Sequence, residues 1–134
     1  MQLDHIGIAV PDLDQALVFW RDALGLKLTD IEVVASEGVR TAFLPVGDAN
    51  IELIEAMDGD SAFAKSVARR GHGIHHLCFA VEGIQNRLEN LDAAGVRLVD
   101  RSPRPGAHGK QVAFIHPKAA GGVLVELAEP GETE

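Results

Sequence analysis

Two stretches of this chain carry the same signals in the same order, and that repetition restricts the fold more than any single motif. The first opens with Asp4-His5-Ile6-Gly7-Ile8-Ala9-Val10 and the second with His75-His76-Leu77-Cys78-Phe79-Ala80-Val81. Both are short apolar runs that read as strands, with a histidine near the start and Ala-Val at the end. A helical pattern follows each. Asp12 is a suitable N-cap with Gln15 three residues on, and Leu13, Ala16, Leu17, Trp20, Ala23 and Leu24 then repeat at helical spacing until Gly25. In the second copy Ile84, Leu88 and Leu91 form the stripe and Gly95 ends it. The paired histidines His5 and His76 lie 71 residues apart and the paired glycines 70 apart, so the register holds.

Each half closes alike. Residues 39–46 and 51–54 read as strands around the Gly47-Asp48 turn, and residues 111–116 and 123–127 read as strands around a loop at 117–122. A further strand is expected at 27–34 and its counterpart at 96–100. The class is therefore α+β, with two tandem β-α-β-β-β modules in a single domain over 1–134. Module 1 covers about 1–58 and module 2 about 72–129. Phe63, Ala64 and Val67 make residues 60–70 a helical linker. Any α+β protein offers strand and helix signals twice; here polar residues recur at matching places as well.

Those polar residues are His5, His76, Glu52 and Glu126. In the first strand, alternation puts His5 on the face of Leu3, Gly7 and Ala9. His76 shares its face with Ile74, Cys78 and Ala80. Glu52 stands between Ile51 and Leu53, and Glu126 between Val125 and Leu127. A carboxylate in an apolar strand is costly unless solvated, paired or bound to a cation. A half-exposed strand would simply turn its glutamate to water, and a lone strand histidine is often a hydrogen-bonded core residue. The joint pattern points elsewhere: each copy supplies one early histidine and one late glutamate. Paired about a pseudo-two-fold axis, the four would converge as a His₂Glu₂ set suited to a borderline-to-hard divalent ion.

Composition sets outer limits. Twelve Lys and Arg against twenty Asp and Glu give a net charge of −8, which disfavours nucleic acid and anionic membrane surfaces as partners. At 46% hydrophobic and 24% charged, the chain is an ordinary globular one. Its single cysteine, Cys78, excludes an intrachain disulfide and a cysteine-rich zinc site. No apolar run approaches the roughly 18 residues of a membrane span, and Met1–His5 lacks signal-peptide features, so a cytoplasmic location is expected. Residues 129–134 are expected to be disordered. His72, His108 and His116 read as loop or turn residues, Glu37 and Glu55 as solvent-facing, and Cys78 as a small packed side chain. His75 points away from the face of His76.

Leu3-Asp4-His5-Ile6-Gly7-Ile8-Ala9-Val10-Pro11-Asp12, Phe19-Trp20 and Leu24-Gly25 resemble the opening of the vicinal-oxygen-chelate (glyoxalase/bleomycin-resistance/dioxygenase) superfamily. Gly73-Ile74-His75-His76-Leu77-Cys78-Phe79 resembles its second module. The run Lys110–Lys118, with His116-Pro117-Lys118, followed by Gly122-Val123-Leu124-Val125-Glu126-Leu127, is closely similar to the methylmalonyl-CoA epimerases. The resemblance implies a cleft between two modules, one divalent metal and a homodimer. The metal would be cobalt, with manganese, zinc and nickel as alternatives. Position by position, the ligands become His5, Glu52, His76 and Glu126, although some members carry Gln where Glu52 stands. The implied substrate is the acyl-CoA thioester methylmalonyl-CoA, and the implied reaction is proton removal and return through an enolate. A glutamate that serves several members as one base is replaced here by Thr41. Glu126 is therefore expected to act as ligand and base, with Glu52 as the second base.

The main rival is a glyoxalase-type lactoylglutathione lyase with similar ligands. A non-catalytic small-molecule-binding resistance protein of the same fold would have no need of an intact ligand set. An extradiol dioxygenase would want two histidines and one glutamate. Lys118 and Arg104 are candidates for phosphate contacts, with surface solvation the alternative.

Overall fold

A computed structural model describes residues 1–131 of the chain. It contains two compact units, one of residues 5–75 and one of Met1–Asp4 with the chain from His76 onward.

The first unit holds most of β1 (Gln2–Ala9), then α1 (Leu13–Leu17), β2 (Asp30–Val34), β3 (Val39–Val46), β4 (Ala49–Ala56) and α2 (Ala62–Arg70). Its strand order is β2-β3-β4-β1. β1 runs parallel to β4 and the other pairs are antiparallel. Asp12 caps α1 as the sequence indicates, its Oδ1 accepting the Gln15 N–H at 3.1 Å. Ile8 packs beneath Leu13 and Leu17, with Ala42, Leu44 and Leu53 completing the core. The even-numbered face of β1 therefore lies under the helix, which leaves His5 on the other face.

The expected single helix through Leu24 is only partly found. From Val18 to Ala23 the backbone turns as a π-helix, and the Leu24 N–H bonds the Phe19 carbonyl five residues back at 2.8 Å. The wider turn rotates Ala23 and Leu24 off the predicted stripe, and both are exposed. Gly25 ends the segment at φ +92°, the left-handed conformation that a Cβ disfavours.

The second unit repeats the topology. β5 (Gly73–Ala80), α3 (Ile84–Ala93), β6 (Arg104–Pro105), β7 (Gln111–Ile115) and β8 (Val125–Glu129) follow in sequence. The strand order is β5-β8-β7-β6, with β5 parallel to β8. Val81, Ile84, Leu88, Ala113 and Leu127 form its core. Both halves therefore have the β-α-β-β-β order read from the sequence.

Several boundaries differ from expectation, and in the first half β2 begins at Asp30 rather than 27. Residues 96–100 form no strand, and only Leu98 bridges, to Ile115. The N–H groups of Val99 and Asp100 both donate to the Phe114 carbonyl, while Asp100 Oδ2 accepts the Phe114 N–H at 2.8 Å. A side chain thus occupies the ladder position and ends the pairing. The last strand starts at Val125 rather than 123, because Val123 is still tied to the Ala120 carbonyl of a short turn, Pro117–Ala120, within the expected loop. Glu129, expected to be disordered, closes β8; residues 132–134 of that segment lie outside the described residues.

Glu129 also has a structural task that Glu55 repeats. The Glu55 Oε2 accepts the Leu13 N–H at 2.8 Å, at the start of α1. The Glu129 carboxylate accepts the Gly83 and Ile84 N–H groups at the start of α3. Glu55 is therefore not the solvent-facing residue expected: it is half-buried and also pairs with Arg40 at 3.3 Å. In each half, the final strand sends a carboxylate to the unsatisfied donors of that half's helix, where the helix dipole favours negative charge.

Candidate functional site

In the first half, His5 stands on β1 and Glu52 on β4. The parallel register sets Gly7 directly across from Glu52 and His5 across from Asn50. Gly7 presents no side chain there, so the carboxylate extends along β1 to the imidazole. Glu52 Oε2 lies 2.8 Å from His5 Nδ1. Both residues are buried, each 6% exposed. Thr41 on β3 is also buried and shares this face, opposite Glu32 and Ile54.

The second half reproduces the pair with different atoms. Glu126 on β8 sits opposite Cys78 in β5 and Phe114 in β7. Its Oε1 lies 3.0 Å from His76 Nε2. These residues are buried too, at 8% and 5% exposure. The Phe114 ring meets the His76 ring edge-on at 5.8 Å. The guanidinium of Arg104 lies over the other part of this wall, 5.4 Å from the Phe114 centroid, and its Nε is 3.4 Å from Asp100 Oδ1.

A carboxylate with under a tenth of its surface exposed needs a partner, and each here has an imidazole. The spacing also fits a cation. Adjacent ligand atoms on an octahedral ion with bonds of about 2.1 Å are about 3.0 Å apart, and within each pair the imidazole nitrogen and carboxylate oxygen are 2.8 and 3.0 Å apart. Imidazole nitrogen with carboxylate oxygen is a donor set for borderline-to-hard divalent ions.

The remaining histidines are elsewhere. His75, on the opposite face from His76, is buried against α2: its Nε2 and Ser66 Oγ are 3.0 Å apart, its ring is 4.7 Å from that of Phe63, and Arg70 donates to its carbonyl. His72 is exposed and His108 occupies a left-handed turn at φ +56°, both as loop residues. His116 caps the turn after β7, its Nδ1 accepting the Lys118 N–H at 3.1 Å. Arg97 and Lys118 lie near it, and desolvation together with these two cations lowers its pKa below the ordinary histidine value. Cys78 is fully buried, packed with Val112 and Ala128. Lys118 is exposed as expected, whereas Arg104 is half-buried. Sequence reasoning missed Phe114 and the inward side of Arg104. The available signal was the shared face of Val112 and Phe114, two residues apart in β7, and it reaches Arg104 only once β7 is known to pair with β6 and β8.

The fold and the paired sites define a class. Residues 4–114 match the family model of the Glyoxalase/Bleomycin resistance protein/Dioxygenase superfamily, and the chain belongs to that superfamily. Within it, the chain is 37% identical over 130 residues to the ethylmalonyl-CoA/methylmalonyl-CoA epimerase of Cereibacter sphaeroides, covering 96% of this chain and 97% of that one. Its structure is similar to that of methylmalonyl-CoA epimerase from Mycobacterium tuberculosis, with a TM-score of 0.89, 42% identity, and 98% and 89% of the two chains covered. A Streptomyces coelicolor methylmalonyl-CoA epimerase in complex with 2-nitronate-propionyl-CoA gives a TM-score of 0.90 at 35% identity, covering 100% and 97%. Among the described residues, no helix is long and apolar enough to cross a membrane.

Proposed function

We propose that this chain is a methylmalonyl-CoA epimerase that interconverts the 2R and 2S forms of its substrate. One observation carries the site: each half buries a His–Glu pair at the same place in the same topology, His5 with Glu52 and His76 with Glu126. Full-length similarity to epimerases supplies the substrate class.

The carbon to be inverted lies between a thioester and a carboxylate. Breaking its C–H bond leaves an enolate, and inversion requires that a proton return on the opposite face. Our reading gives His5, Glu52, His76 and Glu126 to one divalent metal, taken as cobalt, with manganese, zinc and nickel as alternatives. When bound, that ion supplies a Lewis acid for the negative charge that develops on oxygen. Glu126, as a carboxylate, takes the proton from one face and Glu52, as a carboxylic acid, gives one to the other; proton exchange with solvent restores both, and the roles are exchanged in the reverse direction. Thr41 has no carboxylate and stays neutral at physiological pH, so it takes no proton. The flanking apolar strands exclude water, which strengthens each charge interaction at the reacting atoms. A homodimer and a cytoplasmic setting belong to the same reading.

The test is proton exchange. In deuterated solvent, the purified protein with its measured metal content should place deuterium at C2 of methylmalonyl-CoA and equilibrate the two epimers. Turnover of a glutathione hemithioacetal with no exchange into methylmalonyl-CoA would reassign the chain to a lyase. Sedimentation gives the oligomeric state on the same sample.

A further inference from the structure

The second half has a cation on the face that bears His76 and Glu126, and neither proton transfer nor metal binding uses it. In the antiparallel register Arg104 is opposite Val112, and Phe114, next on that face of β7, is opposite Glu126. Contacts follow this line. The guanidinium of Arg104 is 5.4 Å from the Phe114 centroid, Phe114 meets the His76 ring at 5.8 Å, and His76 Nε2 is 3.0 Å from Glu126 Oε1. Arg104 is thus one aromatic ring away from the buried pair.

Asp100 and the Phe114 ring flank Arg104. Asp100 Oδ1 lies beside Nε at 3.4 Å, and Asp100 is itself fixed because its other oxygen accepts the Phe114 N–H. The Arg104 side chain is 36% exposed, so a solute has access to it. A planar guanidinium has five N–H donors in a rigid fork that matches a carboxylate with two parallel hydrogen bonds.

We infer that Arg104 reads the free carboxylate of the acyl group, and so selects carboxylated acyl-CoA thioesters over uncharged ones. The inference rests on the epimerase reading and deepens it. An uncharged acyl-CoA loses the guanidinium contact. Arg104 is a specificity residue in this scheme and carries no proton. Asp100 and Phe114 position it.

Calorimetry with two thioesters tests this on the metal-loaded protein. Malonyl-CoA has the carboxylate and propionyl-CoA lacks it, while both carry the same CoA phosphates. Arg104→Gln should weaken malonyl-CoA binding about 10- to 100-fold, the range for a charge-assisted contact, and leave propionyl-CoA binding within about two-fold. Arg104→Lys, which keeps the charge but not the fork, should lie between. With methylmalonyl-CoA as substrate, KM should rise more than kcat falls. Equal weakening toward both thioesters would assign Arg104 to the CoA phosphates or to folding, and unchanged affinity for malonyl-CoA would leave it without a ligand; either result overturns the inference. Should Arg104→Gln fail to fold, Arg104→Lys decides by the same comparison. The epimerase reading has its own criterion: wild-type protein that exchanges no proton with methylmalonyl-CoA refutes that reading, whatever the variants bind.

Discussion

His5 Nδ1 lies 2.8 Å from Glu52 Oε2, across a parallel strand pair that joins positions 47 residues apart in the chain. That contact and its counterpart, His76 Nε2 to Glu126 Oε1 at 3.0 Å, are the basis of the function proposed for this chain.

Glu52→Gln keeps the shape and an oxygen ligand but cannot accept a proton. Removing a positioned acid or base costs about 10²- to 10⁴-fold in rate, so epimerisation should fall by at least about 100-fold while metal content stays near that of the parent. Stopped assays on metal-quantified protein check this. Full turnover with metal bound would show that Glu52 is not a base.

Loss of an imidazole should act on the metal first. Removing even an outer hydrogen-bonding partner of a metal ligand costs about 10- to 100-fold in affinity, so His5→Ala and His76→Ala should each lose at least that much. A chelator should abolish activity in the parent protein, and added cobalt should restore it. Metal analysis after gel filtration, paired with the activity, gives the answer.

Glu55 and Glu129 predict a stability effect separate from catalysis. Each carboxylate caps the start of a helix, α1 and α3 respectively. Replacing a helix-capping side chain with alanine costs about 1 kcal/mol, up to about 2. Glu55→Ala and Glu129→Ala should each lower the urea midpoint accordingly, with unchanged slope and unchanged affinity for metal.

His116 predicts a pH effect. Its folded pKa is lowered by desolvation and by the charges of Arg97 and Lys118, so the native state resists protonation more than the unfolded chain does. The associated stability is fully present above the ordinary histidine value of about 6.5. It is lost as pH falls from there to the depressed folded value, since the unfolded state binds the proton first. An NMR titration should place the His116 midpoint below the ordinary histidine value of about 6.5. Lys118→Gln should move the His116 midpoint upward.

Much of this was legible because the signals are local. Asp12 as a cap, Gly25 and Gly95 as helix ends, and the 39–46 strand follow from backbone preferences within a few residues of each position. Where the local pattern was incomplete, tertiary bonds decided. Asp100 displaced a strand from residues 96–100, and the π-turn at Val18–Ala23 moved Leu24 into solvent.

The same division holds for the site. Sequence alone placed His5, Glu52, His76 and Glu126 as polar residues in apolar strands at matching points of a repeat, because burial of a lone carboxylate is expensive enough to demand a reason. It determined the α+β class and the order of elements in each half. Which histidine meets which glutamate was decided only by the fold, since β1 pairs with β4 and β5 with β8, strands that are not neighbours in sequence. Arg104 and Phe114 joined the second pair for the same reason. Periodicity reports which face of its own strand a residue occupies, and only hydrogen-bonded pairing between distant strands determines what lies beside it.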